Sequence, residues 1–169
     1  MFSGPFQYDD AHNLALRTMG LVLQSRLLDT IRQELGETYS ITVNPSTSRY
    51  PRPEFMVRID WTCDPARAKT LVQRVLQEVE FVKNTKLSTT QIGLIHEALL
   101  REFERSSQSN GYVLNQVTRR YEDGDTTDLT SIDHLPEQIA ALTGAQVQEA
   151  AQTYLNSANY VVVTLMPEK

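Results

Sequence analysis

From about Asp10 the apolar residues fall three or four apart, and Leu16, Met19, Leu23, Leu27, Ile31 and Leu35 line one face of a long helix. Gly20 is placed to weaken or break that helix midway, and Gly36 to end it. The period then changes from helical to twofold. Tyr39, Ile41 and Val43 alternate with Ser40, Thr42 and Asn44, and Phe55, Val57, Ile59 and Trp61 alternate with Met56, Arg58, Asp60 and Thr62. Between these two strands the run Asn44–Glu54, rich in Pro, Ser and Arg, predicts a long hairpin loop with a basic tip at Arg49, Tyr50 and Arg52.

Asp64-Pro65 opens the next helix, because Asp caps free N–H groups and Pro suits the first helical position. Ala68, Leu71, Val72, Val75, Leu76, Val79 and Val82 form its buried stripe. Ser88-Thr89-Thr90-Gln91 is a capping box ahead of Ile92, Ile95, Leu99 and Phe103. Asn110-Gly111 breaks to a helix carrying Val113, Val117 and Tyr121, and residues 122–128 form a polar loop. A short helix around 134–141 and one capped at Thr143 follow. The run from Tyr160 to Met166 is β-branched and nearly continuously apolar, which predicts a strand inside a sheet.

The blocks are long and do not alternate, so the fold class is α+β, a mainly antiparallel sheet with helices packed on one face. Residues 1–9, with Gly4, Pro5 and no period, read as a linker, and 10–169 as a single domain. Three strands make a thin sheet for so many helices. A strand is expected to be missing, or to come from another chain or from residues preceding Met1.

Bulk properties narrow the function without naming it. A chain of 169 residues with 40% hydrophobic and 22% charged residues can bury a core. The net charge of −5 argues against a nucleic-acid or membrane-surface binder. No apolar run approaches the ~20 residues a membrane helix needs. The compartment stays open between cytoplasm and periplasm, since Cys63 is the sole cysteine and no internal disulfide is possible.

Nucleophilic and metal chemistry find little support. Cys63 precedes a capped helix that could lower its pKa, yet no histidine neighbours it in sequence, and packing is the better reading. His12, His96 and His134 are each isolated. His96-Glu97 begins a His-Glu-x-x-His pattern, but position 100 is Leu, so His96 reads as a surface residue on an amphipathic helix. Glu122, Asp123, Asp125, Asp128 and Asp133 lack calcium-loop spacing and read as a solvated acidic loop.

One stretch is more specific. Ser25-Arg26-Leu27, then Arg32-Gln33-Glu34-Leu35-Gly36, then Thr38-Tyr39-Ser40 mark a helix end, a glycine stop and a strand opening on tyrosine. Over these positions, and more loosely over the whole chain to Pro167, the sequence resembles the C-terminal, zinc-free half of the pitrilysin/insulinase family of zinc metallopeptidases. The resemblance implies a half-domain of the mitochondrial processing peptidase type and a place within a longer polypeptide. It also implies that Arg32 and Tyr39 contact an extended peptide substrate opposite a zinc held elsewhere. No catalytic or metal-binding residue is then expected in this chain. The implied partners are the zinc-bearing half, in the same polypeptide or another subunit, and the peptide. Arg26 in the same motif reads as structural, bracing the helix. The resemblance also admits a non-catalytic assembly subunit, as in the core proteins of respiratory complexes.

Overall fold

The computed structural model describes residues 1–35, 40–124 and 134–166, and the side chains of all of these but 31–35. The described residues sort into two compact units, Met1–Lys86 with Ala145–Lys169, and Leu87–Gly144.

The first unit is built on an antiparallel sheet with strand order β1-β3-β2 (β1, Phe2–Pro5; β2, Ile41–Ser48; β3, Glu54–Trp61). Phe2 pairs with Val57 and Pro5 with Glu54, while Ile41 pairs with Trp61 and Ser48 with Glu54. Residues 2–5, read as linker, are therefore an edge strand. Their anchors are aromatic: Phe2 and Phe6 are buried, and Phe6 packs against Tyr154 with ring centroids 5.3 Å apart. Four residues are too few to show a twofold period, so the pairing could not be read locally.

β2 also runs further than its composition suggests, past Pro45 to Ser48, and only residues 49–53 remain to turn the hairpin. The Val43 N–H points away from β3 and donates to the Gln24 side-chain oxygen at 3.0 Å. Pro45 has the same parity, so its missing N–H faces outward too and no ladder bond is lost. Proline is tolerated on an edge strand for that reason.

Helix α1 (Asp10–Leu35) crosses the sheet antiparallel to β2. Asn13 accepts from the Thr47 hydroxyl at 2.7 Å, Gly20 lies on Pro45, and Gln24 reaches Val43. Leu16, Met19, Leu23 and Leu27 are fully buried with Val57. Gly20 does not break the helix. A Cβ there would stand 2.7 Å from Pro45 Cγ, so glycine is what lets the helix approach the strand. A 3₁₀ turn at Pro65–Arg67, capped by the Asp64 carboxylate on the Ala66 N–H, leads into α2 (Ala68–Asn84) as expected. Helix α6 (Gly144–Tyr154), taken after the helices of the second unit, buries Val147, Ala150, Ala151 and Tyr154. Its Gln148 and Gln152 both donate to the Lys83 carbonyl at the end of α2.

The sheet face away from these helices is polar, with Arg58 and Asp60 paired at 2.7 Å. The last described run, Val161–Met166, is not inside a sheet. It is exposed, and Tyr160 makes only an isolated antiparallel bridge to Phe2. A continuous apolar sequence favours burial, but burial needs a neighbour on each side.

The second unit holds α3 (Thr89–Ser107), α4 (Asn110–Glu122) and α5 (Leu135–Ala141). The Ser88/Gln91 capping box forms in both directions. Among the described residues its buried apolar side chains are Leu99, Ile139 and Leu142.

Two predictions follow from the seating of α1. Helix propensity alone makes Gly20→Ala stabilising by roughly 1 kcal/mol. The stiff Pro45 ring at 2.7 Å reverses the sign. Urea denaturation is expected to show a net loss of about 1–2 kcal/mol, as for other overpacked sites, relieved when Pro45 is also replaced by Ala. The second concerns Asp9, which caps α1 through the His12 N–H at 2.8 Å. Burial pushes its carboxyl upward, but bonds from the His12 N–H, the His12 ring and the Gln7 amide outweigh this and hold it below the usual carboxylate range. A depressed folded pKa contributes stability above the ordinary carboxylate value that is lost as pH falls through the lowered one. Asp9→Asn is expected to flatten that acid-side loss in denaturant midpoints measured against pH.

Candidate functional site

The C-terminal end of α1 and the start of β2 at Ile41 form a corner, and the sequence places the candidate substrate contacts on it. Arg32 belongs to the last turns of α1, its side chain outside the described residues, and Tyr39 lies outside them altogether. What the structure describes is the scaffold that holds this corner.

Arg26 is its brace. Its guanidinium donates through Nε and Nη2 to one oxygen of Glu78 on α2, at 3.2 and 2.9 Å, and lies 3.9 Å from the centroid of the Phe81 ring. Glu78 is almost fully buried, and Arg74 approaches its other oxygen at 3.7 Å. A buried carboxylate needs such partners, because its desolvation is otherwise unrecovered. Arg26 is thus the structural residue the motif reading expected, tying α1 to α2 shortly before the corner. Glu78 itself was not singled out in the sequence. Its only local signal was a carboxylate interrupting the apolar stripe of α2.

Gln24 is the second residue missed. Its side-chain oxygen takes the outward Val43 N–H, so the β2 edge near the corner is closed at that position by the helix. The backbone that enters the corner is held from both sides.

The remaining candidates are committed elsewhere. His96 is not a free surface group: its Nε2 donates to the Leu142 carbonyl at 2.8 Å, fastening α3 to the end of α5. The His12 Nδ1 donates to Asp9 at 2.7 Å. Cys63 is half-buried between β3 and the 3₁₀ turn. The acidic residues 125–133 lie outside the described residues.

The zinc of the resembling family can be tested against this donor set, and it does not fit. Among the described residues no three His, Cys, Asp or Glu side chains converge to hold a metal. Nor is any helix among the described residues long and apolar enough to cross a membrane.

Removing the brace is expected to be costly. Breaking a buried pair by deleting one partner costs about 3–5 kcal/mol, but the Arg26 side chain is 40% exposed, which lowers the expectation for Arg26→Ala to about 1–2 kcal/mol. The Arg26→Ala, Glu78→Ala double variant is expected to lose less than the sum of the singles in chemical denaturation.

No family model matches the chain. In sequence it is 25% identical over 167 residues to a zinc protease PQQL-like protein of Arabidopsis thaliana, covering 89% of this chain. In structure it is similar to the periplasmic protease PqqL of Escherichia coli, with a TM-score of 0.75 at 15% identity over 91% of the chain. It is also similar to a peptidase M16 inactive domain from Pseudomonas fluorescens, with a TM-score of 0.67 at 17% identity over 92% of this chain and 37% of that one. The chain spans only 17% of the length of the Arabidopsis protein and 17% of the E. coli structure. The two structural likenesses bear on the fold, and the Arabidopsis protein adds the relationship in sequence. The chain is accordingly similar to zinc peptidases of the pitrilysin/insulinase type and shares the fold of an M16 peptidase inactive domain.

Proposed function

We propose that this chain is the substrate-side domain of a two-part zinc endopeptidase, completing an active site whose metal is held by a separate zinc-bearing half. The observation that carries the proposal is the alignment of 89% of the chain with a zinc protease of which it spans 17%. A piece of that size and fold is suited to act beside the half that holds the zinc.

The chemistry assigned to this side is binding and electrostatic. Peptide hydrolysis at a metal develops an oxyanion, and preorganised donors near it lower the barrier. Tyr39 supplies a hydroxyl donor to the substrate carbonyl. Arg32, permanently charged and carrying several N–H groups, holds a neighbouring carbonyl and sets the register of the extended peptide. In sequence both lie between Arg26, which joins α1 to α2 through Glu78, and Val43, whose N–H is held by Gln24, and a donor contributes to catalysis only when it is held in place beforehand.

The test is reconstitution with the purified zinc-bearing half and a fluorogenic peptide. The proposal predicts cleavage that depends on this chain, and a loss in kcat/KM of about 10²-fold for Tyr39→Phe, the scale of removing one oxyanion donor. Arg32→Ala is expected to act more through KM. Association without cleavage, indifferent to both substitutions, would instead assign an assembly role of the respiratory-core type.

A further inference from the structure

The tip of the hairpin between β2 and β3, Arg49-Tyr50-Pro51-Arg52-Pro53, concentrates cationic and aromatic side chains in a chain of net charge −5. Its backbone is fastened on both sides. The Ser48 hydroxyl donates to the Tyr50 carbonyl at 2.7 Å, and the Phe6 N–H donates to the Pro53 carbonyl at 3.1 Å. Pro51 and Pro53 each fix φ at their own position.

On this frame Arg49 is held by rings and not by acids. Its guanidinium carbon stands 5.8 Å from the ring centroid of Tyr8 and 5.9 Å from that of Tyr50, within the range of cation–π attraction. Such attraction consumes none of the N–H donors of the group. Among the described residues no carboxylate pairs with Arg49. Arg26, Arg58 and Arg101, by contrast, each donate to a carboxylate of the chain itself. Arg52 gives its Nε–H to Glu54, and its side chain is 79% exposed, so its terminal N–H groups are left to solvent. Tyr50 is 60% exposed. Ordering an arginine costs side-chain entropy, and a ligand binds more tightly where that cost has been met before it arrives.

We propose that the hairpin tip is a docking site for an acidic, extended protein segment, with the Arg49 and Arg52 guanidinia each taking a side-chain carboxylate. Charge selects the partner class. Two guanidinia match two carboxylates, and the planar fork of arginine suits that group. A nucleic acid or an anionic membrane presents a broad field of negative charge, which the net −5 of the chain repels. This site shares no residue with the Arg32 and Tyr39 pair and does not rest on the function proposed above.

The experiment is fluorescence anisotropy of the labelled peptide Gly-Asp-Ala-Glu-Gly titrated with the whole chain at low salt, beside the neutral peptide Gly-Asn-Ala-Gln-Gly. Both peptides are amidated at the C-terminus, so that only side chains differ in charge. The acidic peptide is expected to bind at least about tenfold more tightly than the neutral one, and to weaken as salt is added. Arg49→Gln is expected to weaken binding about tenfold, and Arg49→Gln with Arg52→Gln to abolish it. Tyr50→Leu leaves both charges in place and is expected to weaken binding about threefold, through the lost hold on Arg49. Circular dichroism checks that each variant keeps its fold. Equal binding of the two peptides, or binding of the acidic peptide unchanged in the double variant, would overturn the proposal. So would tighter binding of a single-stranded oligonucleotide than of the acidic peptide, which would identify a polyanion as the occupant.

Discussion

The close seating of α1 on β2 is the constraint on which the first unit depends. The helix lies against the strand from the Asn13–Thr47 contact to the Gln24–Val43 contact, and between them its backbone comes near enough to Pro45 that only glycine fits. That approach brings Leu16, Met19, Leu23 and Leu27 into the core with Val57. Burying side chains of this size is worth about 1.5–3 kcal/mol each relative to exposure. The polar contacts along the same line, Thr47 on Asn13 and Val43 on Gln24, fix where along the strand the helix settles.

This seating also fixes where α1 ends relative to the start of β2. A helix held along one strand could still roll about its axis. Arg26 prevents this by joining Glu78 on α2 and lying over Phe81. The brace combines charge, a buried acceptor and an aromatic face, and it stands less than two helical turns before Arg32. An enzyme that assembles its site from two pieces needs each piece stiff where they meet, because a donor that must reorganise contributes little to the barrier.

Legibility in the sequence followed how local each signal was. Asp64-Pro65 and the Ser88–Gln91 box were read directly and formed as expected, since a cap is satisfied within a few residues. Long periodic helices were equally plain. Features that depend on distant partners were read otherwise. Gly20 looked like a breaker until Pro45 was placed against it. Pro45 looked like loop because a strand on the edge of a sheet obeys different rules from one inside it. His96 gave no hint of the Leu142 carbonyl. Phe2–Pro5 is too short for a period, and its partners in β3, Glu54–Val57, are far away in sequence. The Arg32 and Tyr39 pair rests on a family resemblance and not on any physical pattern in the chain, and both side chains lie outside the described residues.

The central claim is that Arg32 and Tyr39 face a peptide whose scissile bond is attacked from a zinc on the opposite side. A crystal structure of the chain with its zinc-bearing half, the metal removed by chelation and an uncleaved peptide bound, tests this most directly. The account predicts the Arg32 guanidinium and the Tyr39 hydroxyl within about 3 Å of peptide carbonyl oxygens. A peptide lying elsewhere, or either side chain turned into the aliphatic core, would contradict it.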